Sequence, residues 1–256
     1  MALYRLAIAT IFRKKAWVVA AFAVGVLPFL LPLLSTATEN PSVLMQPTRA
    51  LTAWTLLWIA SMFWGFFVAA RIGEHHNQSG LGEYFLTAGM SSTRQLAMLW
   101  LAVMTFIVPL ALLAAAVCLI GAMPSAPDEQ SMWWATNFQY VALFLLVIAP
   151  LIALALAVAS RFGATAGYIA TLGLAIYGLY GVGYLDMLFR LDGNSVLEWI
   201  WLASPHFHFA NITNRLIFKL GAIETHAFFN IAVYLTGILL VLVAISRATF
   251  RTRSFA

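Results

Sequence analysis

The sequence predicts an all-α membrane protein with six transmembrane helices and both termini in the cytoplasm. Three observations lead there. Of the 256 residues, 63% are hydrophobic and 9% charged, with a mean hydropathy of +0.91. A soluble domain carries about 25% charged residues, so water is not the main solvent of this chain. Several apolar runs reach the roughly 20 residues that a helix rising 1.5 Å per residue needs to cross a bilayer. Finally, the cations are placed unevenly, and cytoplasmic loops hold the excess of Lys and Arg. With the N-terminus inside, Arg5, Arg13, Lys14, Lys15, Arg71, Arg94, Arg161, Arg247, Arg251 and Arg253 fall inside. Only Arg49, Arg190, Arg215 and Lys219 fall outside, and of the acids only Glu74 and Glu83 are inside. This rule accounts for the net charge of +5 without a nucleic-acid partner.

Residues 2–15 open the chain. Leu3, Tyr4, Ala7, Ile8 and Ile11 recur at helical spacing with Arg5 and Arg13 on the other side, which predicts a helix lying in the membrane interface. A plain cytoplasmic tail with orienting charges is the alternative. Six spans follow, at about 16–35, 51–70, 96–122, 137–160, 165–188 and 227–247. The first lacks a small-residue cleavage site and holds Pro28 and Pro32, so it is read as a retained span, not a signal peptide. Spans four and five need a tight turn at Arg161 to Ala164, because an unbroken helix would run to roughly 78 Å.

On the outer side, residues 36–50 and 123–136 read as short Pro-containing loops, the second ending in Trp133-Trp134 at the aromatic belt. The third outer segment, 189–226, is longer. Its aromatic stretches at 197–202, 204–209 and 211–218 are too short to span, and read as helices that re-enter or lie along the outer leaflet. Inside, residues 71–94 form the one long polar interruption. There Leu81, Tyr84, Phe85 and Ala88 make one apolar stripe, while Glu83 and Thr87 point elsewhere. Asn77 or Ser79 can cap the start of this short helix, Gly89 can end it, and Ser91 or Ser92 can cap the third span. A solvated connector is the bland alternative.

Span two ends in Arg71-Ile-Gly-Glu74, and Gly80-Leu-Gly-Glu-Tyr-Phe-Leu-Thr-Ala-Gly-Met-Ser-Ser-Thr-Arg94 follows. These segments resemble the permease subunits of type-2 ABC exporters. Leu202-Ala-Ser-Pro-His-Phe-His-Phe209 looks like that family's Leu-Ser-Pro-His/Tyr-Phe pattern, and Phe250-Arg-Thr-Arg253 like its basic ending. Each motif is degenerate; their order along the whole chain carries the resemblance. Gly89-Met90 replaces the family's usual Pro-Val, and no cation follows Arg94 early in span three. The resemblance implies a permease in the bacterial inner (plasma) membrane, paired with a second copy or paralogue and with two separate ATP-binding subunits. It further implies that Glu74, Gly80, Leu81, Glu83, Tyr84 and Phe85 couple to the ATPase.

No Gly-x-x-x-x-Gly-Lys-Ser/Thr phosphate loop occurs. The chain is therefore expected to bind no cofactor itself, with ATP and Mg²⁺ on the partner ATPase. The spans hold almost no groups from which a membrane-embedded hydrolase could be built, so no enzyme is expected. His206 and His208 could share a metal only with ligands the neighbourhood does not supply, and aromatic packing is the alternative. His75-His76 reads as a polar contact surface. Asp186 is the one acid close to a span interior, and Tyr177, Tyr180 and Tyr184 lie on a Gly-rich run before it. These four are candidates for a pathway or protomer interface, against simple helix packing. Cys118 lies alone in an apolar run, so no disulfide framework exists. The expected cargo is amphipathic or lipid-like. A mechanotransmission subunit, which passes ATP-driven motion to a membrane or periplasmic partner without moving cargo, is the alternative function.

Overall fold

The computed structural model describes residues 2–34, 41–193, 195–218 and 220–252. Ser35 of the first predicted span, residues 36–40 of the first outer loop, Lys219 and Arg253 lie outside the described residues. Among the described residues there is no strand. The helices run α1 (Ala2–Arg13), α2 (Ala16–Gly25), α3 (Leu27–Leu34), α4 (Pro41–Ala60), α5 (Phe66–Gln78), α6 (Leu81–Thr87) and α7 (Ser92–Ala116). Then come α8 (Pro127–Phe162), α9 (Ala164–Ile176), α10 (Val182–Asp192), α11 (Ser195–Ala203), α12 (Thr213–Ile217) and α13 (Thr225–Thr249). A π turn at Ser61–Gly65 joins α4 to α5, one at Val117–Gly121 extends α7, and one at Tyr177–Gly181 joins α9 to α10.

Among the described residues five helical stretches are long and apolar enough to cross a membrane: Gln46–Gln78, Ser92–Gly121, Pro127–Phe162, Ala164–Leu191 and Thr225–Thr249. They make this a multi-pass membrane protein in architecture. The first predicted span is different: α2 and α3 divide it at Val26. Pro28 explains the break, since it has no N–H to return to the Val24 carbonyl and its ring crowds that carbonyl.

Two predicted outer loops are largely helix. Residues 41–50, read as loop, begin α4, and their polar side chains close the far end of the α7 stretch. Gln46 Nε2 donates to the Ala122 carbonyl at 2.8 Å and Arg49 Nη1 to the Gly121 carbonyl at 3.0 Å. Residues 127–136 likewise open α8, with Pro127 in the first turn beside Asp128 and Glu129, where prolines and acids suit a helix start. Trp133 is therefore no belt residue: it is buried and its Nε1 donates to the Cys118 carbonyl at 2.9 Å. Trp134 is exposed.

The 36-residue α8 is the centre of the bundle and packs against α5, α7, α9 and α13. Small residues bring these helices together. A Cβ on Gly73 would stand 2.3 Å from the Leu156 oxygen, and one on Gly167 would stand 2.6 Å from the Ala159 Cβ. The run Gly163 to Gly167 thus serves packing within this chain. The expected turn between spans four and five falls at Gly163, whose φ of +90° suits glycine. By contrast α13 is peripheral, with only Leu235, Leu242 and Ser246 buried. The segment after α10, expected on the outer side, holds α11, a 3₁₀ turn at Phe207–Ala210 and α12, each too short to span.

Candidate functional site

Helix α5 does not stop at residue 70 as expected but continues to Gln78, so Arg71, Glu74, His75, His76 and Asn77 sit on its final turns. The Ser79 hydroxyl donates back to the His75 carbonyl at 2.6 Å. Gly80 then turns the chain at φ +72° and α6 begins without a side-chain cap from Asn77 or Ser79. Its end is the expected one. Gly89 adopts φ +84°, Met90 N donates to the Phe85 carbonyl at 2.8 Å, and Gly89 N donates to that of Leu86 at 3.0 Å. This pair of bonds is the Schellman motif. Ser91 caps α7 by accepting from Arg94 N at 3.4 Å.

One buried amide holds this unit together. Gln95, fully buried at the start of α7, donates from Nε2 to the Gly82 carbonyl at 3.2 Å and to the Met90 carbonyl at 2.9 Å. Its Oε1 lies 2.7 Å from His76 Nε2, so His76 donates from that nitrogen. Gln95 therefore clamps both ends of α6 to the last turn of α5. His76 is 2% exposed and is no contact surface, while His75 is exposed.

The chain beyond α13 closes the unit. Phe250 stacks on His76 with ring centroids 5.9 Å apart, and Arg251 N donates to Ser160 Oγ at 2.9 Å. Thr252 Oγ1 is 3.1 Å from Ser92 Oγ. Gly82 lies so close that a Cβ there would stand 2.4 Å from the Thr252 carbonyl oxygen. On the α8 side, Asn77 Nδ2 donates to the Ser160 carbonyl at 2.8 Å. The C-terminal ends of α5 and α8, the N-terminal end of α7, α6 and the segment after α13 thus meet in one buried polar knot. A net gain of about 1 kcal/mol per bond and a larger cost for each orphaned partner make such knots rigid when complete.

The predicted coupling residues divide between two places. Gly80, Leu81, Glu83, Tyr84 and Phe85 share α6, but the predicted stripe is split. Leu81 and Phe85 are half-buried and Phe85 packs on the core, whereas Tyr84 is 66% exposed and Ala88 is exposed. The Gly82–Thr252 approach sets this rotation: with Gly82 turned inward, Tyr84 and Glu83 face out. Tyr84 and Phe85 remain edge-to-face at 5.4 Å.

Glu74 sits elsewhere. Its Oε1 accepts from Ala164 N at 3.0 Å, capping α9, and its other oxygen pairs with Arg71 at 3.5 Å. Glu74, Asn77, Gln78, Ser160 and Arg161 line a polar cleft of about 350 Å³ on this end. Sequence reasoning missed Gln95, Ser160, Gly82 and Thr252. The available signal was Gln95, an amide at the mouth of an apolar run.

The candidates at 177–186 divide between packed and exposed positions. Tyr177 bonds to Ser204 Oγ at 2.5 Å and serves packing. Tyr180 and Tyr184 are exposed at 58% and 60%. Asp186 pairs with Arg190 one turn on, at 3.0 Å. A stronger polar cluster surrounds Tyr140, which stacks on Trp54 at 3.8 Å. Its hydroxyl accepts from Trp58 Nε1 at 3.1 Å and donates to Asn211 Oδ1 at 2.7 Å, with Thr213 Oγ1 also bonded. Tyr140 so fastens the outer segment to α4 and α8. His206 and His208 lie 5.5 Å apart between Trp201, Phe209 and Tyr234. Burial is the main cause pulling both imidazoles below their usual pKa. Among the described residues no three His, Cys, Asp or Glu side chains converge as metal ligands. No family model, no characterised protein and no solved structure matches this chain.

Proposed function

We propose that the protein is the transmembrane permease subunit of an ATP-driven exporter of the type-2 ABC class, in a bacterial inner membrane, with α6 docking on a separate ATP-binding subunit. The observation that carries this reading is the mounting of α6. Its exposed ring, Tyr84, stands on a two-turn helix that Gln95 clamps at both ends and Thr252 abuts. A push on Tyr84 therefore reaches α5, α7 and α8 together, as a two-state coupling requires. The order of the motifs at 71–94, 202–209 and 250–253 supports the same assignment. ATP and Mg²⁺ belong to a pair of partner subunits on this reading, and two permease copies face each other. The multi-pass apolar architecture suits an amphipathic or lipid-like cargo.

Purification of the chain from its own cells tests the proposal: an ATP-binding subunit accompanies it, and its absence overturns the reading. Tyr84→Ser should then abolish stimulation of the partner's ATPase by this subunit while leaving thermal unfolding unchanged. Phe85→Ser, which strips a ring from the core, should lower stability as well.

A further inference from the structure

A second cavity of about 350 Å³ lies between α1, α5, α6 and α7, in the size range of small-ligand sites. Its depth is mostly apolar. Leu3, Ala7 and Ile11 of α1 are buried against it, and Val68 and Leu99 line it from α5 and α7. Of its polar residues Lys14, Arg71 and His75 are exposed, Thr10 is half-buried, and His76 is buried with its Nε2 bonded to Gln95. The cavity therefore has a mostly apolar floor and a basic rim, and among the described residues no Asp or Glu lines it. Glu74 does not line it, but its Oε2 lies 3.5 Å from Arg71 while its Oε1 accepts from Ala164 N.

The flank of the cavity is apolar and exposed. Leu6, which lines it, is 46% exposed, and Phe12 on the same helix is 58% exposed. Water alone would be poorly held between such walls. The matching ligand has a flexible apolar chain and an anionic head. By the Lys and Arg distribution this rim lies on the inner side, and that is where anionic lipids concentrate.

We propose that the groove between α1 and α5 binds an anionic phospholipid of the inner leaflet, with one acyl chain among Leu3, Ala7, Ile11 and Leu99 and the phosphate held by Lys14 and Arg71. This lipid is a resident of the fold, and its binding does not depend on an ATPase partner or on any cargo.

The test is native mass spectrometry of the full chain with phosphatidylglycerol, phosphatidylcholine and inorganic phosphate offered separately. Phosphatidylglycerol is retained and the other two are not. At about 1 kcal/mol per cation near a membrane surface, Lys14→Ala with Arg71→Ala weakens retention about thirty-fold. Removing two cations elsewhere, Arg5→Ala with Arg247→Ala, changes it less than two-fold. Ala7→Phe fills the groove with its charges intact and also abolishes retention, with burial of Cys118 against a maleimide confirming the fold. The proposal is overturned if phosphatidylcholine is retained equally, if inorganic phosphate is retained as well as phosphatidylglycerol, or if the two cation pairs matter alike.

Discussion

Replacing Gly82 by Ala puts a Cβ 2.4 Å from the Thr252 carbonyl oxygen and 2.9 Å from its carbonyl carbon and Cα. Ordinary contact begins at 3.4 Å, so two backbones must part by about 1 Å. Neither can swing aside as a side chain would, which places the cost near the upper end of overpacking, about 3 kcal/mol. Against this, Ala gains about 1 kcal/mol over Gly inside a helix. The full chain should therefore lose about 2 kcal/mol. Truncation after Arg251 removes the obstacle, leaving the helix gain alone, so there the same substitution should stabilise by up to about 1 kcal/mol. Cys118 is the one cysteine of the chain and is buried. Where maleimide labelling proceeds through global unfolding, its rate reports stability, ten-fold per 1.4 kcal/mol. Gly82→Ala should label about thirty-fold faster in the full chain and no faster in the truncated one. Equal acceleration in both backgrounds would refute the claim that Thr252 seats α6.

Three further outcomes follow from the geometry. Glu74→Ala should cost about 0.5–2 kcal/mol by uncapping α9, while Glu74→Gln, which keeps the acceptor and loses the charge, should cost less than about 1 kcal/mol; thermal unfolding of both variants decides. Tyr140→Phe should cost about 1–3 kcal/mol by orphaning the buried Trp58 N–H, and should loosen residues 211–213 in hydrogen exchange. The lowered pKa values of His206 and His208 mean that the unfolded chain takes up protons first. Their contribution is intact above the unfolded value, about 6.5, and is lost as pH falls from there through the folded values. The protection of amides in 204–209, taken relative to intrinsic exchange at each pH, should fall between pH 7 and pH 5, and much less with both histidines replaced by Phe.

What could be read in advance was punctuation written within a few residues. Gly89, Ser91 and Gly163 act on neighbours three or four positions away, and each ends or starts a helix where expected. Residues 41–50 and 127–136 misled because polarity was taken for irregularity. In both, the polar groups serve helix ends: Gln46 and Arg49 close another helix, and Asp128 and Glu129 favour the start of their own. The site was harder still. Glu74 meets Ala164 across 90 positions and Arg251 meets Ser160 across 91, pairings that only the packing of α5 on α9 and of α13 on α8 creates. The α6 stripe shows the same limit, since a seven-residue helix takes its rotation from Thr252 and not from its own pattern.

The length of α8 has a mechanical meaning. Its 36 residues extend about 54 Å, and Pro150 interrupts their hydrogen bonding some 18 Å from the C-terminal end. Two unequal arms result: a short one carrying Ser160, and one of about 35 Å carrying Tyr140 and Asn137. If the helix pivots at Pro150, a displacement of the inner knot arrives at the far surface about doubled. The segment held by Tyr140 would be driven about one to one, since Tyr140 and Ser160 each lie ten residues, about 15 Å, from Pro150.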